Sequence, residues 1–120
     1  LSGYLLLATR LRNQPDAFAG PWNFGPPSTD ARNVLQVAEG IVERFGRGEI
    51  KVTLDPSGRH EAGLLQLNCD KANHLLPWNA RWDIDKTLSM TVSWYQAFFE
   101  GTNMADVTWQ QCKEYFPEWQ

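Results

Sequence analysis

The sequence predicts a small α/β unit, mostly helical with two or three short strands. Three observations predict it: apolar residues at helical spacing behind good N-caps, brief aromatic or β-branched runs where that spacing is lost, and glycine or proline stops between them. The 120 residues allow one domain over residues 1–120, and 42% hydrophobic content with 12% aromatic suffices for one packed core.

Taken in order, residues 1–13 carry Tyr4, Leu5, Leu6, Leu7, Ala8 and Leu11 all round, the pattern of a helix covered on more than one side. Asn13, Pro15 and Asp16 end it. Trp22-Asn23-Phe24 then reads as a short strand, closed by Gly25-Pro26-Pro27, which cannot continue a ladder. Asn33 followed by Gln36 has the form of a capping box, and Val34, Val37, Ala38, Ile41, Val42 and Phe45 follow on one helical face until Gly46 and Gly48 stop it. Ile50, Val52 and Leu54 alternate with Lys51 and Thr53 as in a half-buried strand, and a polar loop takes residues 55–63. Residues 64–67 form another strand candidate. Asn68 is placed to cap a brief helix that Pro77 ends. Asp83 caps a longer helix with Ile84, Leu88, Val92, Tyr95 and Phe99 as its buried stripe and Gly101 as its stop. Thr108 with Gln111 predicts one last capped helix, ending near Phe116. So few and such short strands cannot make an independent doubly wound sheet, so they are expected at the edge of a larger one.

Composition narrows the function classes. Charged residues are 21% of the chain and the net charge is -3, with basic and acidic side chains interspersed, so nothing points to nucleic acid. The longest apolar run, residues 4–8, falls far short of the roughly 20 residues a bilayer span needs. No basic segment precedes it as in a secretory leader, so a cytoplasmic protein without a membrane partner is expected. Cys69 and Cys112 lack zinc-site spacing and are read as thiols. The chain opens on a helix-like Leu-Ser-Gly-Tyr-Leu-Leu-Leu-Ala with no initiator Met, so its start reads as a cut, and surface bared there should drive self-association.

The motifs of known reaction centres are missing. There is no Gly-x-Gly-x-x-Gly turn before a helix, no Walker loop, no Gly-x-Ser-x-Gly elbow, no His-Glu-x-x-His and no Tyr-x-x-x-Lys pair. Gly46-Arg47-Gly48 follows a helix instead of opening one. His60 and Glu61 could transfer a proton or join a metal site, but adjacent side chains seldom face each other, which leaves ligand contact or an ordinary surface loop. His74 is explained by packing or solvent exposure. The six tryptophans are spread over different elements, which favours packing over sugar stacking.

Three segments carry a resemblance. Trp22-Asn23-Phe24-Gly25-Pro26 looks like an aromatic-Asn-x-Gly strand end. Leu67-Asn68-Cys69-Asp70-Lys71-Ala72, leading to Leu75-Leu76-Pro77-Trp78, is similar to an acid-x-Ser-Lys-Ala helix followed by Leu-Gly-Trp. Trp82-Asp83-Ile84 through Leu88, Thr91, Val92, Trp94 and Tyr95 matches a closing helix with a Thr-x-x-Trp-Tyr ending. In this order and spacing they resemble the extended short-chain dehydrogenase/reductases that act on nucleotide sugars. Residues 1–8, the His60-Glu61-Ala62 loop and the tail from Gly101 to Tyr115 resemble most the CDP-glucose 4,6-dehydratase branch. Asn68, Asp70 and Pro77 depart from the family's Asp, Ser and Gly.

The resemblance implies a C-terminal substrate-binding lobe with the Rossmann domain absent. Enzymes of this family bind NAD in that missing domain, which also carries the Tyr-x-x-x-Lys pair, and hold the nucleotide-sugar between it and the lobe. This chain would then have no catalytic residue, cofactor site or metal of its own, and would be inactive alone. Its partners would be the nucleotide-sugar substrate and its Rossmann domain, in a homo-oligomer. The reaction implied is internal redox: hydride passes from sugar C4 to NAD, the C5 proton is lost, water leaves from C6 and the hydride returns there. Arg59, His60 and Glu61 would contact substrate, with guanidinium or imidazolium suited to pyrophosphate and a carboxylate to a ribose hydroxyl or a cytosine amino group. Ser28 is a further candidate. The alternatives are a lobe of another nucleotide-sugar epimerase or dehydratase, and a free-standing binding module.

Overall fold

The computed structural model describes residues 1–53 and 67–119. They fall into two compact units, one within residues 1–29 and 61–80, the other within residues 30–60 and 81–120.

The first unit begins with α1 (Ser2–Asn13) and α2 (Pro15–Phe18). Arg10 and Arg12 in the last turn of α1 meet the negative end of its dipole, and Pro15 at the first position of α2 costs no hydrogen bond there. Residues 19–27 carry no regular secondary structure and bend at Gly20, with φ 115°, and Ser28–Asp30 make a 3-10 turn. After the undescribed segment comes α4 (Asp70–Leu75), the fourth helix in chain order. Asn68 helps start it: its side-chain oxygen accepts from the Asp70 amide at 2.9 Å while its amide donates to the Asp70 carboxylate at 3.2 Å. The core of this unit is Gly3, Ala72 and Leu76, the last only 1% exposed.

The second unit holds α3 (Val34–Phe45), α5 (Ile84–Phe99) and α6 (Met104–Tyr115). Both ends of α3 are set by its own neighbours. The Asn33 side chain accepts from the Gln36 amide at 2.8 Å and Gln36 accepts from the Asn33 amide at 2.9 Å. At the other end Gly46 adopts φ 69°, a left-handed cap. Asp83 caps α5 by accepting from the Lys86 amide at 2.7 Å, and Gly101, with φ 74°, follows its C-terminus. Leu88 and Val92 are the buried residues of this unit, where α3 packs on α5.

Arg44 ties those two helices together. Its guanidinium donates to Ser89 Oγ at 3.0 Å, to Asp85 at 2.8 Å and to the Gly40 carbonyl at 3.0 Å. On the other side of α5, Gln111 donates to the Met90 carbonyl at 2.8 Å, the Trp94 indole donates to Thr108 Oγ1 at 2.9 Å, and Lys86 pairs with Glu114.

The architecture corrects the α/β expectation: among the described residues there are helices and no strand at all. Trp22-Asn23-Phe24 is extended but has no ladder, because side chains and not backbone bonds hold it. Ile50 and Val52, expected on the inner face of a half-buried strand, are instead 38% and 63% exposed, and neither residue pairs with a strand. A strand needs a neighbour to satisfy its amides and carbonyls, and period-2 patterning cannot supply one. Leu54 and residues 64–66 lie outside the described residues. The last helix also starts earlier than expected. Asn103 caps it by accepting from the Ala105 amide at 3.1 Å, and Thr108 lies inside it.

Candidate functional site

Two of the three family-like segments meet in the first unit. Asn23 donates its side-chain amide to the Asn68 carbonyl at 3.1 Å, joining the extended segment to the start of α4. Lys71, from the first turn of α4, donates to the Pro21 carbonyl at 3.1 Å and sits 4.2 Å from the centre of the Trp22 ring. The Trp22 indole donates to the Phe18 carbonyl at 2.8 Å and stacks on the Phe18 ring at 5.8 Å. The Pro21 carbonyl and the Trp22 and Asn23 side chains are thus engaged from the side.

The ring of Phe24 is lodged between two others. It meets Tyr4 edge-on at 5.4 Å and Trp78 edge-on at 5.1 Å, and the Trp78 indole donates to Ser2 Oγ at 2.9 Å. Gly3 makes this possible: a Cβ there would lie 2.3 Å from Phe24 Cδ1. Gly25 lies beside the start of α4 with more room, since a Cβ on it would lie 3.4 Å from Sγ of Cys69, the residue ahead of that helix. The conformation of residues 21–25 is therefore dictated by α1 below and α4 beside, and this segment leads directly to Ser28.

The third segment lies in the second unit, on α5. There Thr91 donates to the Thr87 carbonyl at 2.8 Å, and Trp94 stacks on Phe98 at 5.9 Å. Ahead of that helix Arg81 forms a fork with Glu118, at 2.9 and 2.7 Å, donates to the Tyr115 carbonyl at 3.0 Å, and lies 5.3 Å from the Phe116 ring centre. The Arg81 hydrogen bond is the chief reason the Glu118 carboxyl falls to about 2 from its ordinary 4.5, and the Arg81 pKa rises in return. A groove of about 250 Å³ along α3 and the first turn of α5 carries both signs of charge, from Arg32, Glu39, Glu43 and Asp85. Arg44, which also lines it, is spent on the contacts between helices.

The substrate-contact residues expected from the sequence are divided. Arg59, His60 and Glu61 lie outside the described residues. Ser28 opens the 3-10 turn Ser28–Asp30, and its backbone position is all that is described. His74 is exposed, with Nδ1 2.8 Å from the Asp70 carbonyl one turn back, a local contact with no catalytic partner. Cys69 and Cys112 are half-buried free thiols. Among the described residues no group of three or more His, Cys, Asp or Glu could hold a metal ion, and no helix is long and apolar enough to cross a membrane. Asn23 and Lys71 were not singled out from the sequence as positioning residues. An amide between two aromatic residues and a lysine ahead of a buried alanine were the available signals.

No family model matches the chain. It is similar to the CDP-glucose 4,6-dehydratase of Salmonella typhimurium, with 34% identity over 115 residues. That match takes in 96% of this chain and 32% of the relative, so the chain spans about a third of the length of the curated protein it matches. The resemblance carried by residues 22–26, 67–78 and 82–95 thus extends over nearly the whole chain.

Proposed function

We propose that this chain is the substrate-binding part of an NAD-dependent CDP-glucose 4,6-dehydratase, a cytoplasmic lyase that makes CDP-4-keto-6-deoxyglucose. The observation that carries the reading is 34% identity sustained over 96% of the chain. The contacts of residues 21–23 with Asn68 and Lys71 are consistent with it, since they join two of the segments that carry the resemblance.

The glycine pair in the described residues does not form a dinucleotide-binding turn. Gly46 and Gly48 lie after α3, where they end a helix instead of opening one over a pyrophosphate, and on this reading NAD would be held by the Rossmann domain. What the chain contributes is recognition. Arg59 would place a fixed guanidinium fork on the pyrophosphate, His60 a second donor, Glu61 an acceptor for a sugar or base hydroxyl or amine, and Ser28 a hydroxyl.

Expression of the complete reading frame, assayed for conversion of CDP-glucose and UDP-glucose, tests the proposal. CDP-glucose should be dehydrated. Arg59→Ala should raise KM about tenfold or more with kcat little changed, the cost of one charge-assisted hydrogen bond. Titration calorimetry of the present chain alone should show weak binding or none. A complete protein that leaves CDP-glucose untouched would overturn the reading, and submicromolar binding by the isolated chain would favour a free-standing module.

A further inference from the structure

We draw no further inference here: the strongest candidate, the exposed aromatic face that Tyr95, Phe98 and Phe99 form on the last turns of α5, is an apolar surface for which nothing in the structure shows what covers it.

Discussion

The two units solve the same problem, holding a short chain in place, by opposite means. In the first, an extended segment is fixed by side chains reaching across long stretches of sequence: Asn23 to Asn68, Lys71 to Pro21, Trp78 to Ser2, with Phe24 wedged between rings. In the second, three well-capped helices lie on one another and charged forks finish their edges. A helix carries its own hydrogen bonds and asks its neighbours only for apolar cover. An extended segment must borrow partners, so each residue of the first unit tolerates fewer replacements.

The largest effects should expose that contrast. Leu76→Ala, at a fully buried position of the first unit, should cost about 3 kcal/mol, read as a lower urea midpoint. Hydrogen exchange should then rise in α1 and α4 well before α5. Equal deprotection of α5 would show that the units unfold as one.

Two glycines sharpen the comparison. Gly3→Ala drives a Cβ to 2.3 Å from a ring carbon of Phe24, which Tyr4 and Trp78 prevent from retreating, so a loss of about 2 kcal/mol is expected. Gly40→Ala meets only the far end of Leu88 at 2.9 Å and of Arg44 at 3.2 Å. There the gain in helix propensity, about 1 kcal/mol, should nearly offset the crowding. A thermal melt of both variants checks the order, and a Gly40→Ala loss as large as that of Gly3→Ala would break the contrast.

Asn23→Ala should cost about 1 kcal/mol, the worth of one side-chain hydrogen bond, and should free the backbone of residues 21–25 to exchange. The smallest effect belongs to Arg81 and Glu118. The Glu118 carboxyl is more acidic when folded, so its contribution is complete above the ordinary 4.5 and is lost as pH falls from there through about 2. Carbon-detected NMR should find Glu118 titrating near 2, and Arg81→Ala should return it towards 4.5. Both groups are exposed, so stability should change little. A Glu118 titration unmoved by Arg81→Ala would separate the fork from the shift.

Helix boundaries were largely legible in the sequence because caps are local. Asn33 with Gln36, Gly46, Asp83 and Gly101 each act within a few residues of themselves. The final helix misled for an instructive reason. Thr108 and Gln111 have the spacing of a capping box, but both side chains are committed to α5, and Asn103 performs the capping. Strands were misread because aromatic and β-branched residues announce an extended backbone without saying what it will pair with. Trp22 and Phe24 are extended, but they pack as anchors. For the candidate site, the sequence motifs marked three segments without saying which of them meet, and the Asn23 bond to Asn68 joins the first two. His60 and Glu61 stood out as an adjacent pair in a polar loop, but their expected substrate roles, and that of Arg59, came from the resemblance, since the residue types alone fit any polar loop.

The paired caps of α3 have a practical side. With its start written in Asn33 and Gln36 and its stop in Gly46, residues 33–46 hold a complete set of instructions for where a helix begins and ends. Such a segment is portable. It should keep its boundaries when spliced into an unrelated host, whereas residues 21–25 would lose theirs as soon as α1 and α4 were left behind.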